Sequence, residues 1–138
     1  MTTTPKSLII NSAFTEPQQH WAENADRTLR LEPARRPAGY EIIDTRENTR
    51  RQVPIPLVDT IRDRVRQWRL DGWPGTTAIT LALLQHWWDA DKVSRRQWPF
   101  YFCQLEAIET LIWHLEALPE YRQGIHIQGD GGEFERLC

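Results

Sequence analysis

The stretch Pro56-Leu-Val-Asp-Thr-Ile-Arg-Asp-Arg-Val-Arg-Gln-Trp-Arg-Leu-Asp-Gly72 divides the chain into two kinds of sequence. Within it Leu57, Ile61, Val65 and Trp68 recur at helical spacing, while Arg62, Asp63, Arg66 and Arg69 fall outside that stripe. Pro54 and Pro56 suit the entry of a helix, because a first-turn proline forfeits no helical hydrogen bond, and Gly72 suits its exit. Residues on the N-terminal side of this helix read as short strands and turns. Those on its C-terminal side read as further helices. The pattern predicts an α+β chain, a small N-terminal β-element followed by three main helices.

On the N-terminal side, residues 7–11 (Ser-Leu-Ile-Ile-Asn) read as a short strand, and Phe14-Thr-Glu-Pro17 turns into a polar segment carrying His20 and Trp21. Thr28-Leu-Arg-Leu-Glu32 and Gly39-Tyr-Glu-Ile-Ile43 also read as strands, joined through the Pro-bounded, hairpin-like connection Pro33-Ala-Arg-Arg-Pro-Ala38. On the C-terminal side, a turn at Trp73-Pro-Gly75 leads to a second helix capped by Thr76 or Thr77, with Ile79, Leu83, Leu84, Trp87 and Trp88 as its apolar face. Asp89-Ala-Asp91 ends it in a charged loop. The third helix starts at Phe102 and ends near Leu118, with Leu105, Ile108, Leu111, Ile112 and Leu115 recurring at helical spacing between Pro99 and Pro119. That face is expected to pack on the Trp87–Trp88 helix. A turn-rich linker from Gln123 to Gly132 and an extended segment from Phe134 to Cys138 complete the chain.

Composition narrows the classes. The 138 residues fit one ordinary domain, and 40% of them are hydrophobic, but seven tryptophans stand in for a shortage of aliphatic side chains. Indole rings in such a chain more often fill core gaps than stack on ligands; Trp21 and Trp98, in loop-like contexts, are the better surface candidates. Apolar runs fall far short of the roughly 20 residues a membrane span needs, and Met1-Thr-Thr-Thr-Pro-Lys6 begins no secretory signal. Two cysteines, Cys103 and Cys138, build no disulfide or metal framework. A soluble, reduced, cytoplasmic protein is the expectation. Four scattered histidines (His20, His86, His114, His126) show no zinc spacing, and Gly129-Asp-Gly-Gly132 lacks the Gly-Lys-Ser/Thr of a phosphate-cradling loop.

Charge is unevenly placed. The net charge is −2, yet residues 27–69 contain eleven arginines and six acids, and residues 103–138 contain seven acids and two arginines. Only Lys6 and Lys92 are lysines. Guanidinium suits bidentate contact with phosphate or carboxylate. Two readings stand side by side: Arg35, Arg36, Arg50 and Arg51 face a nucleic acid, or the basic middle pairs internally with the acidic tail.

One segment carries a resemblance. Phe100-Tyr-Phe-Cys-Gln-Leu-Glu-Ala-Ile108 runs from aromatic residues through Gln104 into a Leu-Glu-Ala-Ile helix start. It resembles the adenine-recognising glutamine motif of superfamily-2 helicases. A carboxamide offers one acceptor and one donor in plane, matching the N6 donor and N7 acceptor of adenine. The chain as a whole resembles the N-terminal region of the helicase-type subunits of type III restriction endonucleases. The matching stretches are Leu8-Ile-Ile-Asn-Ser12, Glu16-Pro-x-x-His-Trp21, Arg36-Pro-Ala-Gly-Tyr40, Gly72-Trp-Pro-Gly75, the Gln104 helix and Gly131-Gly-x-Phe-x-Arg-Leu-Cys138.

The resemblance implies an accessory region over residues 1–98 and, over 99–138, the start of an α/β motor domain. That start would end within the domain's first strand, at Phe134-Glu-Arg-Leu-Cys138, truncated before the phosphate-binding loop. It implies ATP as the cofactor of the complete parent, with Gln104 at the adenine and Phe102 or Tyr101 as the stacking neighbour. DNA is the implied partner, with a downstream motor fragment or a methyltransferase subunit beside it and no membrane. No catalytic residue carries over. The adenine contact alone is worth about 1–3 kcal/mol, short of millimolar binding, so this chain by itself is expected to be inactive. The alternative from the residues is a free-standing nucleic-acid-binding or protein-interaction module without ATP chemistry.

Overall fold

A computed structural model describes residues 8–89 and 96–126. Two separate antiparallel hairpins come first. Strand β1 (His20–Glu23) pairs with β2 (Leu29–Glu32), and β3 (Gly39–Asp44) pairs with β4 (Thr49–Pro54). Three main helices come next, α1 (Pro56–Leu70), α2 (Ala78–Trp88) and α3 (Phe102–Glu116), and then a single turn, α4 (Pro119–Arg122). The architecture is α+β. The expected extended segment at Phe134–Cys138 lies outside the described residues, as does the Gly129–Gly132 loop.

The β-element differs from expectation in its pairing. Thr28–Glu32 and Gly39–Ile43 are strands, but they do not pair with each other. Each takes another partner instead: His-Trp-Ala-Glu for one and Thr-Arg-Arg-Gln-Val-Pro for the other. Pro33 to Ala38 therefore links two hairpins rather than closing one. Residues 8–11 form no strand. Side chains satisfy that backbone instead: Gln19 Nε2 donates to the Ile10 carbonyl at 2.6 Å, and the Trp21 indole donates to the Leu8 carbonyl at 2.9 Å.

Helix α1 follows the expected stripe over Ile61, Val65 and Trp68, but Leu57 at its start is exposed. Pro56 occupies its first turn, Val65 and Trp68 are buried, and Gly72 leaves in the left-handed region at φ 85°. Thr77 caps α2 by accepting from the Thr80 amide. Gly75, at φ 95°, is held tightly: a Cβ there would stand 2.8 Å from the Glu116 carbonyl oxygen and 2.9 Å from the Leu118 amide nitrogen. The turn between α1 and α2 thus presses on the end of α3, which only glycine permits.

The core is built largely of indoles. Val65, Trp68, Trp73, Leu84, Trp113 and Ala117 form one buried cluster, with Trp87 and Trp88 packed against it. Trp98 is 84% exposed, whereas Trp21 is half-buried. The face that α3 buries is rotated from the expected one. Phe102, Leu105, Glu109 and Trp113 point inward, while Leu111 and Leu115 are exposed. Its principal partner is α1 rather than α2, because acids at Glu106 and Glu109 meet arginines from the connector and α1. Helix α2 contributes Leu84 and an edge-on contact of Trp88 with Phe102. Its own Ile79 and Leu83, expected on the apolar face, are exposed.

Candidate functional site

Two regions contain the residues singled out by sequence, the start of α3 and the arginine-rich surface beside α1. At the start of α3, Tyr101 is the N-cap and Gln104 stands three residues into the helix. The Tyr101 amide donates to Gln104 Oε1 at 3.0 Å, one half of a capping box. This bond fixes the carboxamide plane at an exposed position. Among the described residues nothing pairs with Gln104 Nε2, and Oε1 keeps a second lone pair. The Phe102 amide donates to the Ala13 carbonyl at 2.9 Å, tying the loop from Ser12 to Thr15 to the helix start.

The two aromatic candidates separate here. Phe102 is 5% exposed, edge-on to Trp88 and beneath the Arg35 guanidinium, so it has no face free for a ligand. Tyr101 is 51% exposed and stacks on Phe14, with ring centroids 5.4 Å apart. Of the pair, Tyr101 alone is open to a nucleobase.

The arginines divide in the same way. Arg35 makes a two-pronged contact with Glu106 at 2.6 and 2.8 Å and reaches Glu16 at 3.4 Å. Glu16 also receives Arg66, which in turn bonds Asp63 at 2.9 Å. Burial pushes the Glu16 carboxyl up, but the Arg66 hydrogen bond and charge, with Arg69 and Arg35 behind them, outweigh it and hold the group below its ordinary range. The guanidiniums of Arg35 and Arg66 are raised, chiefly by their hydrogen bonds to Glu106 and Glu16 respectively.

Deeper still, Glu109 is fully buried. It accepts from Arg69 at 2.7 and 2.8 Å and from the Trp73 indole at 2.9 Å. Arg69 lies 3.9 Å over the Trp88 ring. Of the eleven arginines in residues 27–69, Arg35 and Arg69 therefore pair with acids of α3, and Arg66 pairs with Glu16 and Asp63 instead.

The others remain outward. Arg36 donates to the Trp21 carbonyl at 2.7 Å, Arg50 stands 3.8 Å from Glu41, and Arg51 is exposed on β4. Arg35 and Arg36 line one groove, while Arg50 and Arg51 lie on the second hairpin. Sequence reasoning missed Glu16, Glu106, Glu109 and Arg62. The signal was present in part: Arg62, Arg66 and Arg69 recur on one side of α1, and two acids three residues apart on α3 can face them. Among the described residues no group of three His, Cys, Asp or Glu side chains could hold a metal ion, and no helix is long and apolar enough to cross a membrane. In the comparisons with known proteins, no family model, curated protein or solved structure matches the chain.

Proposed function

We propose that this chain supplies the adenine-recognising element of a type III restriction-like, superfamily-2 DNA helicase/ATPase subunit. The observation that carries the reading is Gln104. Its carboxamide is exposed, oriented by the Tyr101 amide, and keeps a free donor and a spare acceptor side by side. An adenine edge needs that pair, and the open Tyr101–Phe14 stack lies at the same helix start to cover a base face. The fold adds preorganisation, since the capping bond removes the rotamer freedom that a surface glutamine otherwise loses on binding.

The chain does not perform the hydrolysis in this reading. The phosphate-binding and Asp-Glu motifs that do so in such subunits do not occur in the 138 residues. ATP turnover is assigned to motor residues bearing those motifs, supplied in the test as a second polypeptide. The test is reconstitution of DNA-stimulated ATP hydrolysis from the two polypeptides. Gln104→Ala should raise the KM for ATP about tenfold, the effect of one bidentate base contact, and erode the preference for ATP over GTP. Failure of the mixture to hydrolyse ATP, or a Gln104→Ala mixture with unchanged nucleotide preference, would overturn it.

A further inference from the structure

Arg36 and Pro37 border three concavities, which therefore adjoin one another and together form a trough-like surface. The central groove, of about 720 Å³, has Ile10, Ile55 and Val58 among its apolar walls. Its charged lining is Arg35, Arg36 and Arg62, with no carboxylate among the described residues that form it. A second concavity of about 680 Å³ continues between the hairpins to Arg50, and a third of about 330 Å³ continues along α1 to Arg66. Arg50, Arg36, Arg62 and Arg66 thus line adjoining concavities.

The donors are unequally committed. Arg35 is consumed by Glu106 and Glu16. Among the described residues Arg36 donates only to the Trp21 carbonyl. Arg62 holds its neighbours loosely, with Asp59 at 3.5 Å, Glu106 at 4.0 Å and the Arg36 carbonyl at 3.5 Å. Each guanidinium has five N–H donors, so Arg36 and Arg62 keep several for an anion. Carboxylates line only the outer concavities, where Glu23 and Glu41 flank Arg50, and Asp59 and Asp63 flank Arg62 and Arg66. Trp21 lines both the central groove and its extension, and its indole bond to the Leu8 carbonyl holds the ring in place.

We propose that this trough seats a single strand of nucleic acid, with Arg36 and Arg62 gripping a backbone phosphate and Trp21 offering a stacking face to a base. A positively lined groove with an aromatic wall is what single strands require, and a guanidinium fork matches phosphate geometry. A duplex buries its base faces and has no use for the indole. The inference goes beyond the proposed function and does not rest on it, since strand binding needs no nucleotide.

The experiment is fluorescence anisotropy of a labelled oligothymidine titrated with the 138-residue chain at about 50 mM salt. Binding is expected, and it should weaken steeply as salt rises. Arg36→Ala and Arg62→Gln should each weaken it several-fold and flatten the log–log salt slope by about 0.7. Arg36→Lys, which keeps the charge without the fork, should retain the slope and recover part of the affinity. Arg46→Ala, outside the trough, should bind as wild type does. Circular dichroism melts of the variants separate lost contact from lost fold. No binding at low salt, or Arg36→Ala and Arg62→Gln variants that bind normally, would overturn the proposal. So would polyglutamate displacing the probe as well as unlabelled oligonucleotide does, since that marks an acidic-peptide site.

Discussion

The helical half and the hairpin half of this molecule use the same residue type for opposite purposes. On α1, Arg69 is drawn inward against Glu109, a carboxylate with no exposure at all. On β4, Arg50 and Arg51 stand in solvent, and the nearest carboxylate to Arg50 is 3.8 Å away. The difference follows from their surroundings. A buried charge must be paired and hydrogen-bonded, so Glu109 demands two guanidinium nitrogens and an indole. An exposed arginine on a two-stranded ribbon gains little from any partner. Arginine count alone therefore says nothing about nucleic-acid binding in this chain; partner burial does.

Breaking the helical side should have the largest effect. Glu109→Ala leaves Arg69 and the Trp73 indole unpaired beside the tryptophan core, and should cost about 3–5 kcal/mol in urea unfolding. A variant that unfolds at the wild-type midpoint would show that the cluster adds nothing. Next comes the turn that presses on α3. Gly75→Ala combines a left-handed φ of 95° with a Cβ 2.8 Å from a carbonyl oxygen, and should cost about 1–3 kcal/mol. Smaller again is the acid response of the linkage between the two halves. Glu16 has its pKa lowered by folding from 4.5, so its contribution is fully present above that value and is lost as pH falls through the lower, folded one. Unfolding midpoints should therefore fall on acidification below about pH 5, and Glu16→Gln should flatten that fall. Least of all, Arg50→Ala on the exposed hairpin should change stability by no more than about 0.5 kcal/mol. A larger loss there would erase the contrast between the halves.

Much of the helical layout was legible because apolar side chains at helical spacing have one cheap solution, burial of that stripe. Helix α1 is the clearer case, with Val65 and Trp68 buried as its spacing requires although Leu57 of the same stripe is exposed. Helix α3 shows the limit. Its apolar residues alone point to a face that includes Leu111 and Leu115, yet Glu109 and Trp113 turn inward because Arg69 and Trp73 supply partners. Those partners are 40 and 36 residues away in sequence, and no local pattern reveals them. Strands β1 and β4 were hidden for a related reason. Strand β4 is polar, as suits an exposed ribbon, β1 is only four residues long, and the β3–β4 turn from Thr45 to Asn48 contains no glycine to announce it. At the candidate site the glutamine was legible from its segment. The capping bond that orients it, and the burial that removes Phe102, belong to three-dimensional packing.

Adenine recognition by this chain turns on one carboxamide. Its most direct test is the ratio of kcat/KM for ATP over GTP in the reconstituted two-polypeptide mixture, measured with wild-type chain and with Gln104→Ala. The adenine reading predicts a preference for ATP that falls about tenfold in the variant while the helical circular dichroism is retained. An equal ratio for the two would contradict it and leave Gln104 as a helix cap.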